Sequence, residues 1–185
     1  SGELLLDGLE IDTDLRWKLV ISLAVLGGID AAGIDEQLAD LAAALTAAGA
    51  SLAEDTSVRA VVLTSSHDKA FCVGADLKER NGFTDDQLRA QRPGNRLAYR
   101  ALLDLPVPTI AAVDGYAMGG GCELALACDL IVAGPRALFA LPEVSVGVIP
   151  GGGGTQLMTR RIGWSRAADL IFTARRIDAE EALRL

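Results

Sequence analysis

The sequence predicts an α/β domain built on a parallel sheet with covering helices. Three observations carry this. Short apolar runs recur at residues 18–25, 58–64, 109–113 and 130–133, the second of them mainly β-branched, as in strands buried on both faces. Between the first two, Ile34, Leu38, Leu41 and Leu45 fall at helical spacing inside an alanine-rich stretch. Strand, helix, strand at these intervals is the pattern of a parallel sheet with crossover helices.

The elements follow in order. Residues 4–6 and 18–25 read as strands, and Gly27-Gly28 breaks the second. A helix follows to about Leu52, then a buried strand at 58–64. Residues 71–73 are extended, and Gly74-Ala75-Asp76 turns into a helix-like segment. Thr84 with Gln87 fits a capping box. Pro93-Gly94 is expected to end that helix, and Asn95 to cap another running to about Leu105. A strand at 109–113 leads through an Asp114-Gly115 turn to three glycines, 119–121, and a helix-like run at 122–128. A buried strand is expected at 130–133, with 137–140 pairing nearby. Four glycines, 151–154, precede Thr155-Gln156. Ser165 can cap a helix to about Phe172, and Asp178 another. That last helix has run barely one turn at Leu185. The expectation is a single domain over 1–185 whose natural chain continues.

Composition narrows the function. The chain has 185 residues, enough for one domain with a core. Half of them are hydrophobic but only 4% aromatic, so Ala, Leu, Val and Ile must build that core. The net charge of −8 repels nucleic acid and acidic membrane surfaces. The most basic stretch of the first two-thirds, from Lys78 to Arg100, reads as a solvated helix face. The sharper reading is a phosphate contact. The apolar run at 19–26 is too short for a bilayer, which takes roughly 20 residues. Three cysteines without a CxxC pair and one histidine, His67, make a poor zinc site. The odd cysteine count fits a reducing compartment.

The chemistry-bearing residues cluster on glycine-rich turns. No Gly-x-Ser-x-Gly elbow partners His67, and no G-x-G-x-x-G follows a strand. The glycine run at 151–154 lacks the Lys-Ser/Thr pair of a phosphate loop. Two carboxylates remain, Glu123 and Glu143, with two candidate N–H donors at Ala75 and Gly120. Glycines let the backbone approach a ligand, and a helix start leaves N–H groups facing a developing oxyanion. Two carboxylates beside such a hole can move protons next to an activated carbonyl, without a metal or a bound cofactor. The helix start favours ionised Glu123, and the apolar surroundings of Glu143 favour its neutral form.

These residues resemble a known family. Residues 70–76 read AFCVGAD, 110–129 read IAAVDGYAMGGGCELALACD, and 141–156 read LPEVSVGVIPGGGGTQ. In order and spacing this is similar to the enoyl-CoA hydratase/isomerase (crotonase) family, most of all to its methylglutaconyl-CoA hydratase branch. The resemblance implies a spiral of strand-strand-helix turns and a C-terminal helical region beyond Leu185. It implies an oxyanion hole at the N–H groups of Ala75 and Gly120, and catalytic roles for Glu123 and Glu143. Gly74, Asp76, Leu77, Gly119, Pro142 and Gly151 would line the substrate. The implied reaction is water addition across the 2,3-double bond of an enoyl-CoA thioester. The double-bond isomerases and acyl-CoA hydrolases of the family are its alternative, and RNA binding is an alternative of another class. CoA would enter with the substrate, with no other cofactor, no membrane and no nucleic acid. The implied assembly is a homotrimer or a dimer of trimers, in bacterial cytoplasm or the mitochondrial matrix. One departure stands out: residues 26–30, LGGID, replace the family's Asn-Arg-Pro turn and Asn-Ala pair.

Overall fold

The computed structural model describes residues 20–23, 34–74 and 82–185. In chain order its elements are β1 (Val20–Leu23), α1 (Ile34–Glu54), β2 (Val61–Ser65), β3 (Ala70–Cys72), α2 (Asp85–Leu103), β4 (Thr109–Val113), β5 (Tyr116–Met118) and α3 (Gly120–Ala127). There follow β6 (Leu130–Ala133), β7 (Leu138–Ala140), a 3₁₀ turn at Pro142–Val146, α4 (Gly154–Ile162), α5 (Trp164–Thr173), β8 (Ile177–Asp178) and α6 (Ala179–Arg184).

Successive strands enter two different sheets. One has the order β1-β2-β4-β6 and the other β3-β5-β7-β8. All pairings are parallel except β7 with β8. The repeating unit is therefore strand, strand, helix: β4 joins the first sheet, β5 the second, and α3 covers them. Gly115, at φ +79°, makes the corner between β4 and β5; a Cβ there would sit 2.2 Å from the Lys69 carbonyl oxygen. Leu63, Phe71, Ala111, Val113, Ala117, Cys122 and Leu141 meet in the core between the layers. Thr109 is buried and polar, and it is satisfied. Its N–H and hydroxyl both donate to Asp129, at 2.8 and 2.9 Å, and the Asp129 N–H donates back to the hydroxyl at 2.8 Å. That exchange locks β4 to the start of β6.

Several expectations need correction. The Pro93-Gly94 break does not occur: α2 runs unbroken from Asp85 to Leu103 with Pro93 inside it, and Asn95 caps nothing. Proline supplies no N–H to the Arg89 carbonyl, a cost of about 3 kcal/mol in a helix interior. Pro93 and Gly94 are exposed, while Ala98 and Leu102 further along pack into the core and hold the helix as one piece. The capping box of Thr84 with Gln87 is present at its start. Strand β6 is not buried: Leu130 is 57% exposed, because β6 is the edge of its sheet. Gly163, not Ser165, caps α5, and α4 and β5 are elements the pattern did not announce. Asp178 caps α6 as expected, accepting from the Glu181 N–H at 2.8 Å. The strand expected at 4–6, the break at Gly27-Gly28 and the helix-like segment after Gly74 lie outside the described residues.

Candidate active site

The site is built at the start of α3. Gly119 adopts φ +52°, ψ −122°, a region that favours glycine, and its N–H donates to the Ala140 carbonyl at 2.9 Å. This ties the start of α3 to the end of β7, immediately before the turn that carries Glu143. Gly120 is the first helical residue, so its N–H has no acceptor within the helix. Gly74, at φ +76°, lies close beside that nitrogen. A Cβ on Gly74 would stand 2.8 Å from the Gly120 nitrogen. A side chain there would cover the N–H, and its absence leaves room for a ligand atom.

Glu123 is 3% exposed in the first turn of α3. Its Oε1 accepts two backbone hydrogen bonds, from Gly152 at 2.7 Å and from Gly154 at 2.8 Å. The glycine run cradles a carboxylate of the protein itself rather than a phosphate. The fit is close: a Cβ on Gly154 would lie 3.0 Å from that same Oε1 and 3.1 Å from Leu141 Cδ1. Burial raises the Glu123 pKa above the ordinary carboxylate value and the charge of Glu143 adds to this, while the amides of Gly154, Gly152 and Gly153 pull the other way. This reverses the direction expected from the helix start alone. Desolvation of a buried carboxylate outweighs the partial charge of the helix end.

Glu143 sits in the 3₁₀ turn that Pro142 opens. Its carboxylate lies against Gly119, where a Cβ would be 3.3 Å from Oε1. The other oxygen, Oε2, is shut off from solvent. Cys122, next to Glu123 in α3, is near enough to both glutamates to feel their charges. Burial first, then the charges of Glu123 and Glu143, hold its thiol far above the usual range. The structure thus brings together Glu123, Glu143, Gly119, Gly120, Gly74 and Pro142. Gly151 is exposed and faces open space. The amides next to it, Gly152 and Gly154, are the ones that hold Glu123. Ala75, Asp76, Leu77 and the departure at 26–30 lie outside the described residues. An open groove lies elsewhere, between α1 and α2, lined by Gly49, Ala53, Leu97 and Ala101.

The arrangement has the parts for proton transfer beside a polarised carbonyl: a donor N–H at a helix start, one carboxylate in that helix's first turn and a second against its N-cap glycine. A family model for enoyl-CoA hydratase/isomerase matches residues 34–185. The chain belongs to the enoyl-CoA hydratase/isomerase family. Among its relatives is human mitochondrial methylglutaconyl-CoA hydratase, 44% identical over 160 residues that make up 86% of this chain and 47% of that protein. A putative enoyl-CoA hydratase/isomerase of Bacillus subtilis, YngF, is 51% identical over 130 residues, 69% of this chain and 49% of that one. The crystal structure of an enoyl-CoA hydratase from Bacillus anthracis superposes with a TM-score of 0.75 at 44% identity, covering 78% of this chain and 56% of the other. The fold is therefore the crotonase fold of the enoyl-CoA hydratases. The chain spans about half the length of the curated relatives it matches. No described helix is long and apolar enough to cross a membrane.

Two features of this enoyl-CoA hydratase/isomerase site had no clear signal in the sequence. The glycines at 152 and 154 were visible only as a run. Their use as amide donors to Glu123 depends on the fold bringing residues 29 and 31 positions apart together. Tyr99 also reaches the site, donating its hydroxyl to the Gly120 carbonyl at 3.4 Å. Nothing in its own stretch of α2 distinguishes it from a core aromatic.

Proposed function

We propose that this chain carries the catalytic centre of an enoyl-CoA hydratase, which adds water across the 2,3-double bond of an acyl-CoA thioester. The single observation that carries the reading is the pairing of two carboxylates beside the start of α3: Glu123 in its first turn and Glu143 against Gly119, near enough for the charge of one to act on the other. In this reading the thioester oxygen sits at the Gly120 N–H, with the Ala75 N–H as second donor. Polarisation by these donors draws electron density from the double bond and makes the β-carbon electrophilic. One glutamate takes a proton from water as its oxygen bonds to the β-carbon. The other delivers a proton to the α-carbon.

We assign the water side to Glu123. Two amides hold one of its oxygens and fix the carboxylate plane, so the other oxygen has a fixed direction. Its raised pKa makes the ionised form a stronger base toward water. Glu143 supplies the carbon side. Its charge is one of the causes that raise the Glu123 pKa, so the two carboxyls act on each other. Only acyl-CoA enters, with no separate cofactor or metal.

The assembly we propose is a homotrimer or a dimer of trimers. Val144, Val146, Val148, Ile149, Trp164 and Phe172 are exposed apolar residues on and after the Glu143 turn and on α5, which packs against it. Relatives named from bacteria and from mitochondria leave bacterial cytoplasm and mitochondrial matrix as the two proposed compartments. The test is a spectrophotometric screen of 2-enoyl-CoA thioesters, straight and branched, including 3-methylglutaconyl-CoA, with light scattering on the same sample. Loss of the conjugated-thioester absorbance with formation of a 3-hydroxyacyl-CoA is expected. Release of free CoA, or a shifted double bond without hydration, would replace the hydratase reading by hydrolase or isomerase.

A further inference from the structure

We infer that Tyr99 is a positioning residue that sets the spacing between the oxyanion donor and the carboxylate on the water side. The inference rests on the hydratase reading of the site. Tyr99 lies on α2, next to the buried Ala98, and is itself half-buried. Its ring occupies the space that a side chain on Gly152 would take. A Cβ there would fall 2.4 Å from Cζ, 2.5 Å from Cε2 and 2.8 Å from Cε1. Its hydroxyl meets Gly120 in two ways. The oxygen stands 2.8 Å from where a Cβ on Gly120 would be, and it donates to the Gly120 carbonyl at 3.4 Å.

One rigid side chain thus touches two backbone pieces that are far apart in sequence. Gly120 carries the candidate oxyanion N–H. Gly152 carries an amide that holds Glu123 at 2.7 Å. An aromatic ring has two side-chain torsions and does not compress. Wedged between these glycines, it fixes how far the loop at 152 stands from the start of α3. The missing side chains at both positions are what admit it. Catalysis depends on that spacing because thioester and water must meet in one geometry, and about 1 Å of misplacement can cost about 10²-fold in rate.

The test uses the full natural chain with Tyr99→Phe, Tyr99→Leu, Gly120→Ala and the Gly120→Ala/Tyr99→Phe pair. Two readouts are taken: kcat and KM for enoyl-CoA hydration, and the absorption shift of a bound cinnamoyl-CoA thioester, which reports carbonyl polarisation. Tyr99→Leu should lower kcat by about 10–10²-fold with KM changed by less than about 3-fold, and should shrink the absorption shift. Tyr99→Phe keeps the wedge and should stay within about 5-fold of wild type. Gly120→Ala retains the N–H but meets the hydroxyl. Tyr99→Phe in that background should therefore restore part of the lost turnover. A folded Tyr99→Leu protein with wild-type kcat and absorption shift would overturn the inference, as would a Gly120→Ala defect indifferent to Tyr99→Phe. If wild type hydrates no enoyl-CoA, the hydratase reading fails while the absorption shift still judges Tyr99. If it neither hydrates nor shifts the thioester, both readings fall.

Discussion

The two glutamates stand on opposite kinds of ground. Glu123 belongs to a helix whose residues 121–127 are all buried, and two amides grip its carboxylate. Glu143 belongs to a 3₁₀ turn with no buried residue, which ends at Val146, 49% exposed, and is followed by Val148 and Ile149 at 50% and 76% exposure. One carboxylate is fixed by its own fold. The other lies against Gly119 with one oxygen shut off from solvent, on a turn whose neighbouring residues are exposed. The difference teaches where each half of the chemistry gets its precision. In the hydratase reading, water would be placed by α3 and the glycine loop, both internal. The proton for carbon would be placed by a turn whose outer surface is apolar and uncovered among the described residues.

The largest effect should come from removing either acid. Glu123→Gln and Glu143→Gln keep shape and should each lower kcat by about 10²–10⁴-fold, with acyl-CoA binding largely kept. The double variant should be little worse than the poorer single one, because the pair acts as a unit. The comparison is sharpened by α-proton exchange into solvent deuterium on a saturated acyl-CoA. Exchange needs only the carbon side, so Glu123→Gln should keep more of it than Glu143→Gln. The opposite ranking would reverse the two roles.

Gly120→Pro should come next. It deletes the N–H at the first helical position, where proline's fixed φ is tolerated, and its Cβ meets the Tyr99 hydroxyl as in Gly120→Ala, so the donor's share is the loss beyond that of Gly120→Ala. Turnover should fall by about 10²–10³-fold, as for other oxyanion donors. Circular dichroism must show a folded variant, and normal turnover in that variant would remove Gly120 from the hole.

Much of this was legible in the sequence, and the reason is local. The turn after β4, the glycines before α3 and the glutamate in its first turn follow from backbone rules that need no tertiary partner. The capping box of Thr84 and the N-cap of Asp178 are local in the same way. What the sequence hid is non-local. Pro93-Gly94 looks like a stop, but packing of Ala98 and Leu102 carries α2 through it. Residues 130–133 look buried by composition, yet only sheet order makes β6 an edge. The direction of the Glu123 pKa depends on how deeply α3 is enclosed, which a helix-end argument does not include.

A smaller effect separates the glycines of the 151–154 run. Gly154→Ala would push a methyl to 3.0 Å from Glu123 Oε1 and 3.1 Å from Leu141 Cδ1. Overpacking of this kind costs about 1–3 kcal/mol. Gly151→Ala meets nothing within 4 Å. Thermal denaturation should therefore show a lowered Tm for Gly154→Ala and almost none of that loss for Gly151→Ala. Equal losses would mean that the run acts through its flexibility rather than through its grip on Glu123.

The smallest effect is a pH dependence that only the buried glutamate should show. Burial raises the Glu123 pKa in the folded protein, against an unfolded value of about 4.3. Between those two values the native state holds a proton that the unfolded chain has released. Unfolding then releases protons, so stability falls as pH rises through this window and levels off above the folded pKa. The sign is opposite to that of a salt-bridged carboxylate. Glu123→Gln replaces the titrating group with a neutral one of the same shape, whose oxygen can still accept from Gly152 and Gly154. The variant should therefore lose this component of the pH dependence. Its Tm relative to wild type should be higher at pH 8 than at pH 4, even though it is catalytically crippled. Glu143→Gln should give a second, partial form of the same result, because removing its charge removes one of the causes that raise Glu123. Melting curves of the three proteins across pH 4–8 decide it. A Tm difference between wild type and Glu123→Gln that grows more negative toward pH 8 would mean that the amide grip outweighs burial. Glu123 would then rest as a stabilised anion in the free enzyme.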